Sequence, residues 1–363
     1  AASVQGYRKM DFNRKVLVTG GSGFIGSHLV CSLVDRHPDW RIINLDNLDY
    51  CCSPRSLESV EVSLLRSSFF IRGDVCNSQL LNHIFNTENI DVIFHLAAKT
   101  HVESSFESPS AFQRVNVDGT RVLLRAAHQA RHRPQRFIHA STDEVYGASL
   151  DQVFDESSPV RPSNPYSATK AAAEYLVRSY WDTYKFPVII TRSNNIYGPR
   201  QFPEKVIPRF LALLQRNKKC TIQGTLPKSR HFLFVDDAVD AFLLLLENGV
   251  VGEIYNVGTS CEIPIVHLAR ELVKMNVPDC EANDWLEFVA DRPRVDLRYP
   301  IKCEKLQQLG WRAQVSWAEG IRQTVKWYQD NPDFWVDAGE VFPSQASYSD
   351  VRKAAGNQLL KCT

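Results

Sequence analysis

The chain has 363 residues, with 42 Lys+Arg against 41 Asp+Glu, 44% hydrophobic and 23% charged residues. That balance excludes a polybasic nucleic-acid binder, an acidic tail protein and a wholly disordered chain, and at roughly 150 residues per domain the length suggests two domains. Nine cysteines, scattered, odd in number and without a C-x-x-C pair, signal neither a metal site nor a disulfide framework, so a reduced, cytoplasmic protein is expected.

Residues 1–13 read as a tail without the apolar core of a secretory signal. Strands are then predicted at Lys15–Thr19, Arg41–Leu45, Phe69–Ile71, Asp91–His95, Arg136–His139 and Pro187–Thr191. These are continuous apolar runs, the pattern of strands covered on both faces. Amphipathic stretches near 25–36, 78–87, 109–131 and 165–184 lie between them. Repeated β-α-β alternation implies an α/β fold with a Rossmann-type, doubly wound parallel sheet over 14–192.

Past residue 192 the alternation weakens at Pro199, Pro203 and Pro208. Helical patterns near 204–216, 236–248 and 264–275, with strand-like pieces at 220–222 and 253–256, predict a smaller mixed α/β domain over 193–340. It is expected to interleave with the first, which parts of 220–258 would complete. Residues 344–363 are polar and aperiodic and read as a loose tail. The most apolar run, Ala241–Val251, is too short to span a bilayer. Arg125, His128, Arg131, His132, Arg133 and Arg136 close a helix, where cations offset its dipole, so they do not argue for nucleic acid.

Thr19-Gly-Gly-Ser-Gly-Phe-Ile-Gly26 joins the first strand to the first helix. Gly20, Gly23 and Gly26 permit a tight turn and close backbone approach, and with Phe24 and Ile25 they open a helix whose free N–H groups suit a pyrophosphate. Asp46 ends the second strand, where an acid binds ribose hydroxyls and repels a 2′-phosphate, so NAD rather than NADP is expected. Asp74 and Val75 follow the third strand, and Asp74 could reach the adenine. Ala97 and Ala98 end the fourth with the small side chains a passing cofactor needs, whereas His95 reads as a core histidine. Ser141-Thr-Asp-Glu-Val-Tyr-Gly147 leaves the fifth strand, and Tyr166-Ser-Ala-Thr-Lys170 opens a helix. Tyr166 and Lys170 lie one turn apart, where the ammonium and an oxidised nicotinamide would lower the phenol pKa so that it can take a carbinol proton.

These segments resemble the extended short-chain dehydrogenases that act on nucleotide sugars, and Ser141–Gly147 resembles the dTDP-glucose 4,6-dehydratases, closest in character to the animal members. Further matches are Asn164-Pro-Tyr166, Arg192-Ser-Asn-Asn195 before Tyr197-Gly-Pro199, Pro203-Glu-Lys205 and Asp291-Arg-Pro293. The resemblance implies NAD-mediated oxidation at C4 of a nucleotide-linked glucose with Tyr166 as base. Glu144 would then remove the C5 proton, a protonated Asp143 would release the 6-hydroxyl as water, and C6 would be reduced. It places Thr142 on the substrate 4-oxygen, and Asn195, Lys205, Arg230 and Arg292 on sugar, diphosphate or base. It also implies a homodimer, for which Ala171–Ala173 would let helices approach closely, although core packing explains these alanines equally well.

Arg230-His-Phe232, Arg294, Val295, Ile265 and Lys99 depart from the bacterial pattern, which makes UDP-glucose a rival to dTDP-glucose. The alternatives are an epimerase or decarboxylase of the same fold, in which Asp143 has no evident task, and a non-catalytic nucleotide-binding scaffold.

Overall fold

The computed structural model describes residues 12–60, 68–290 and 297–335. Arg292, the tail expected at 344–363 and most of the one expected at 1–13 lie outside the described residues.

Strand β1 (Arg14–Thr19) leads into helix α1 (Phe24–Arg36), β2 (Trp40–Asp46) and β3 (Ser68–Arg72). Next come α2 (Ser78–Thr87), β4 (Val92–His95), α3 (Val102–Glu107), α4 (Pro109–Phe112) and α5 (Thr120–Gln129). Then follow β5 (Arg136–Thr142), α6 (Pro165–Tyr184) and β6 (Val188–Ser193). The helix expected over 109–131 is broken: Gln113–Gly119 is a π-helical turn between α4 and α5.

With β10 (Ile254–Val257) from later in the chain, strands pair in the order β10-β6-β5-β4-β1-β2-β3, all parallel. Successive residues of one strand face opposite cores. Val16 and Val18 join one cluster with Leu29, Leu33 and Phe242, while Leu17 joins another with Leu81, Leu123 and Phe137. This two-sided burial is why the strands read as unbroken apolar runs. Each such side chain contributes about 1.5–3 kcal/mol of burial.

After β6 come β7 (Asn195–Tyr197), α7 (Val206–Gln215), β8 (Cys220–Gln223), β9 (Ser229–Phe234), α8 (Val235–Asn248) and β10 (Ile254–Val257). The chain continues through β11 (Glu262–Pro264), α9 (Ile265–Asn276), β12 (Leu286–Val289), α10 (Glu304–Gln308) and α11 (Trp317–Asp330). Of the pieces expected to complete the large sheet, only β10 does so, parallel to β6, with α8 packed on α1. Strand β8 instead pairs with β12, and β9 lies between β11 and β7. A third core of Tyr197, Phe210, Phe232, Phe234, Leu268 and Ile321 fills this part.

The short strands β7, β9, β11 and β12 escaped the sequence reading because edge pairings of three to six residues carry little periodicity. Helix α11 did carry a signal. Ser316 precedes Glu319 by three residues and caps its N–H, the pattern of an N-terminal cap.

Candidate active site

The carboxyl ends of β1, β2, β4, β5 and β6 open on one cleft. Its lining includes Gly20, Gly23, Phe24, Ile25, Gly26, Asp46, Asp74, Val75, Ala97, Ala98, Thr142, Tyr166 and Lys170. Gly20 has φ +74°, and a Cβ there would lie 2.8 Å from the Ala97 nitrogen. A Cβ on Gly26 would be driven into the Gly20 carbonyl. The N-terminus of α1 has no side-chain cap and no acid in its first turn, which leaves its N–H groups to an anion. These features fit a dinucleotide diphosphate.

Asp46 is buried at the end of β2. Its Oδ2 accepts from the Ser22 N–H at 3.0 Å and its Oδ1 from the Leu48 N–H at 2.8 Å. Asp74 accepts from the Cys76 N–H at 2.8 Å and pairs with Arg114 at 2.6 Å. It therefore caps its loop while also facing the cleft. His95 is a core residue, bonded to the hydroxyls of Thr19 (2.8 Å) and Thr120 (2.9 Å).

Strand β5 ends at Thr142, and a single 3₁₀ turn, Asp143–Tyr146, carries the two acids. Their environments differ. Asp143 is 2% exposed and stands behind Thr142 and Glu144, which reach the cleft wall. Its Oδ1 accepts from the Thr142 hydroxyl at 3.2 Å and its Oδ2 from the Asn194 amide at 2.8 Å. Burial pushes its carboxyl up to about 7, with the Glu144 charge adding and Asn194, Arg230 and Thr142 opposing. Glu144 is partly exposed, accepts from the Asn164 amide at 3.0 Å and lines both clefts of the site.

Asn164 begins α6 with a capping box to Ser167, and Pro165 occupies the first turn. This start fixes where Tyr166 and Lys170 project. Lys170 donates to the Ala140 carbonyl at 2.6 Å, and burial brings it down to about 8, against the pull of Glu174. The expected lowering of the Tyr166 pKa is not supplied by the chain alone. Burial and the Glu144 and Asp143 carboxylates hold the phenol well above its usual range, and only a hydrogen bond with Thr142 opposes them. The Lys170 ammonium keeps donors beyond the one given to the Ala140 carbonyl, and the positive charge of a bound nicotinamide would add to it in lowering the phenol.

A second cleft meets the first at Glu144, Asn195 and Lys205, which line both. Arg230 is in the second cleft, donating to the Ser229 (2.7 Å) and Leu297 (3.0 Å) carbonyls, with its guanidinium 5.2 Å from the Tyr299 ring centre. Lys205 donates to the Thr100 carbonyl at 2.6 Å. Ile265 is also on this wall. Of the five residues expected to bind substrate, Thr142, Asn195, Lys205 and Arg230 thus line the two joined clefts, and Arg292 lies outside the described residues.

Several lining residues were not anticipated. Tyr50 donates to Glu204 at 2.6 Å across the mouth of the first cleft, and Lys99 pairs with Asp49 at 2.8 Å. Within the π-helical turn, Asn116 accepts from the Lys99 N–H (2.8 Å) and donates to Thr169 (2.9 Å), tying the loop after β4 to α6. A π turn at such a place is a known mark of functional sites, but its sequence reads as ordinary helix. Ala171 and Ala173 are buried within the chain, as core packing requires, while Ala172 between them is half-buried. Among the described residues no His, Cys, Asp or Glu cluster could hold a metal, and no helix is long and apolar enough to cross a membrane.

Comparison with known proteins agrees with this geometry. The family model for GDP-mannose 4,6 dehydratase matches residues 17–324. The human dTDP-D-glucose 4,6-dehydratase is 52% identical over 338 residues, covering 92% of this chain and 95% of the relative. The bovine protein of the same name is 51% identical over 344 residues, 93% of this chain and 96% of the relative. A crystal structure of the Streptomyces venezuelae dTDP-glucose 4,6-dehydratase with NAD bound superposes with a TM-score of 0.82 at 38% identity, covering 88% of this chain and 98% of that one. The likeness runs along nearly the whole length, and the chain belongs to the GDP-mannose 4,6 dehydratase family, within its dTDP-D-glucose 4,6-dehydratase group.

Proposed function

We propose that the protein is an NAD-dependent nucleotide-sugar 4,6-dehydratase that converts dTDP-glucose, or UDP-glucose, to the 4-keto-6-deoxy sugar and water. One observation carries this reading. A sealed carboxyl that favours its proton, Asp143, adjoins an open one, Glu144, where the two clefts meet. Elimination of water needs one acid and one base side by side, and environments that push two carboxyls apart supply them. An epimerase or decarboxylase has no use for Asp143, and a non-catalytic scaffold has no use for a complete Thr142, Tyr166 and Lys170 set.

NAD, when bound, accepts a hydride from the sugar's C4 and returns it to C6, ending the cycle oxidised. Gly20, Gly23, Phe24, Ile25 and Gly26 would hold its diphosphate, Asp46 its ribose, Asp74 and Val75 its adenine side, and Ala97 and Ala98 its passage over the sheet edge. Tyr166 takes the 4-hydroxyl proton while Thr142 holds the 4-oxygen and Lys170 stabilises the phenolate. The 4-ketone acidifies C5, Glu144 removes that proton, and Asp143 protonates the departing 6-oxygen. Glu144 then returns the proton to C5. Asn195, Lys205, Arg230 and Arg292 bind the sugar and diphosphate, where Lys and Arg form charge-assisted hydrogen bonds.

The same reading divides the chain into an NAD-binding Rossmann domain over 14–192, completed by α8 and β10, and a substrate domain over most of 193–340. It also makes the protein a cytoplasmic homodimer, which sedimentation and cell fractionation check. The test of the chemistry is product mass with each nucleotide hexose. Loss of one water from dTDP- or UDP-glucose is expected. Unchanged mass with an inverted centre would indicate an epimerase, and no reaction with any of them a scaffold.

A further inference from the structure

Asn194 lies between β6 and β7 and is 3% exposed. Its own N–H donates to the Val257 carbonyl at 3.0 Å. Its side-chain Oδ1 accepts from the Thr259 N–H at 3.1 Å. A backbone N–H can only donate, so this contact identifies Oδ1 as the oxygen and the opposite end as the NH₂ group. That end donates to Asp143 Oδ2 at 2.8 Å and to the Tyr299 carbonyl at 3.4 Å. Gly258 is part of the same arrangement, because a Cβ there would strike the Asn194 side-chain oxygen. Both ends of the amide are thus engaged within the protein, although Asn194 borders the first cleft.

An oxygen that accepts from an N–H at this distance is a poor place for a proton. The other carboxyl oxygen, Oδ1, faces the Thr142 hydroxyl at 3.2 Å on the cleft wall, and a hydroxyl, unlike an N–H, can turn to accept a proton from it. We infer that Asn194, keyed by the Thr259 N–H, is a positioning residue that keeps Asp143 Oδ2 an acceptor and so confines the transferable proton to Oδ1. The inference rests on the dehydratase reading above. In the step concerned, the C6–O bond breaks with its electron pair on oxygen, and the Oδ1 proton completes the water. The C5 proton passes to Glu144 as the C5–C6 double bond forms. The charged and titratable groups facing Asp143 are Glu144 on its own turn, Arg230 from β9, Tyr166 from α6 and Cys303 ahead of α10.

The test compares the parent enzyme with Asn194→Asp and Asn194→Leu in single turnovers, following the near-ultraviolet absorbance of bound NADH and the dehydrated product. Asn194→Asp keeps the acceptor for Thr259 but loses the donor to Asp143. At about pH 8 its NADH signal should rise at the parent rate and decay about 10²-fold more slowly, the scale of a misplaced catalytic group. Burial beside the Asp143 carboxyl raises the new carboxyl, so lowering the pH toward about 6 should begin to restore a donor and quicken decay by about 10-fold. Asn194→Leu should stay slow at both pH values, and if it does not fold, Asn194→Asp decides alone. A parent enzyme that forms neither NADH nor dehydrated product would sink the dehydratase reading itself. If the parent reacts, decay in Asn194→Asp at the parent rate, or equal pH-independent slowing of rise and decay, overturns the role given to Asn194.

Discussion

Replacing Asp143 by Asn should stabilise the fold while removing the acid that dehydration needs. The carboxyl is nearly sealed, and burial moves it from an ordinary 3.8 to about 7. Because the folded value is the raised one, the folded state binds the proton more tightly than the unfolded chain. The stabilisation this gives is complete below about pH 3.8, is lost as pH rises toward 7, and is then level. At about 1.4 kcal/mol per pH unit, the parent forfeits roughly 4 kcal/mol by pH 8. Asparagine has the same shape, never ionises, can accept from Asn194 through its carbonyl and can donate to the Thr142 oxygen. Urea denaturation followed by tryptophan fluorescence, extrapolated linearly to water, measures the difference at each pH. The variant should match the parent near pH 4 and exceed it by about 2–4 kcal/mol at pH 8, with most of the change between pH 5 and 7. A gap that does not vary with pH, or a variant weaker at pH 8, would show that Asp143 carries no burial penalty and that the acid is not held neutral by its site.

Other perturbations separate the remaining roles. Glu144→Gln should build up bound NADH with little dehydrated product, whereas Tyr166→Phe should suppress the NADH signal, each costing about 10²–10⁴-fold in single-turnover rate. Asp46→Ala should weaken NAD binding and narrow the preference over NADP, read by calorimetric titration of both cofactors, and comparable NADP affinity in the parent would contradict the role of Asp46. Arg192 is 3% exposed and meets Glu174 through bonds of 3.1, 3.1 and 2.6 Å. Glu174→Gln leaves that guanidinium without its counter-charge and should cost about 3–5 kcal/mol in denaturation, most of it recovered by pairing Glu174→Leu with Arg192→Met.

Much of the large sheet was legible because its strands are covered on both sides and so read as unbroken apolar runs, such as Val16–Val18 and Val92–Phe94. The glycine turn, Asp46 and the Tyr166–Lys170 pair were readable for a different reason. Each lies within one element or one loop, where spacing along the chain equals spacing in the fold. The substrate side was harder. Asn195, Lys205 and Arg230 come from β7, the cap of α7 and β9, and nothing local says that these meet. Strand β8 looked as suitable as β10 for the large sheet, and only tertiary pairing with β12 decides otherwise.

The acid pair marks where sequence reasoning stops. Its two carboxyls are adjacent in the chain, so their existence was plain, but the burial that favours the proton on one of them, and the amide that partners it from about fifty positions away, come from the fold. Strands β5 and β6 are neighbours with Thr142 opposite Ser193. Asp143 and Asn194 are the next residue on each, so they leave the sheet together and their side chains meet. Lys170 is placed by β5 and α6 instead, since its partner is the Ala140 carbonyl. The register of one parallel ladder thus sets which amide meets the acid, whereas the ammonium depends on the packing of α6 against β5. A change that shifts β6 against β5 by a residue would therefore part Asn194 from Asp143 and disable elimination, as a side-chain change at 143, 144 or 194 should, whereas a change that moves α6 off β5 should disable oxidation first.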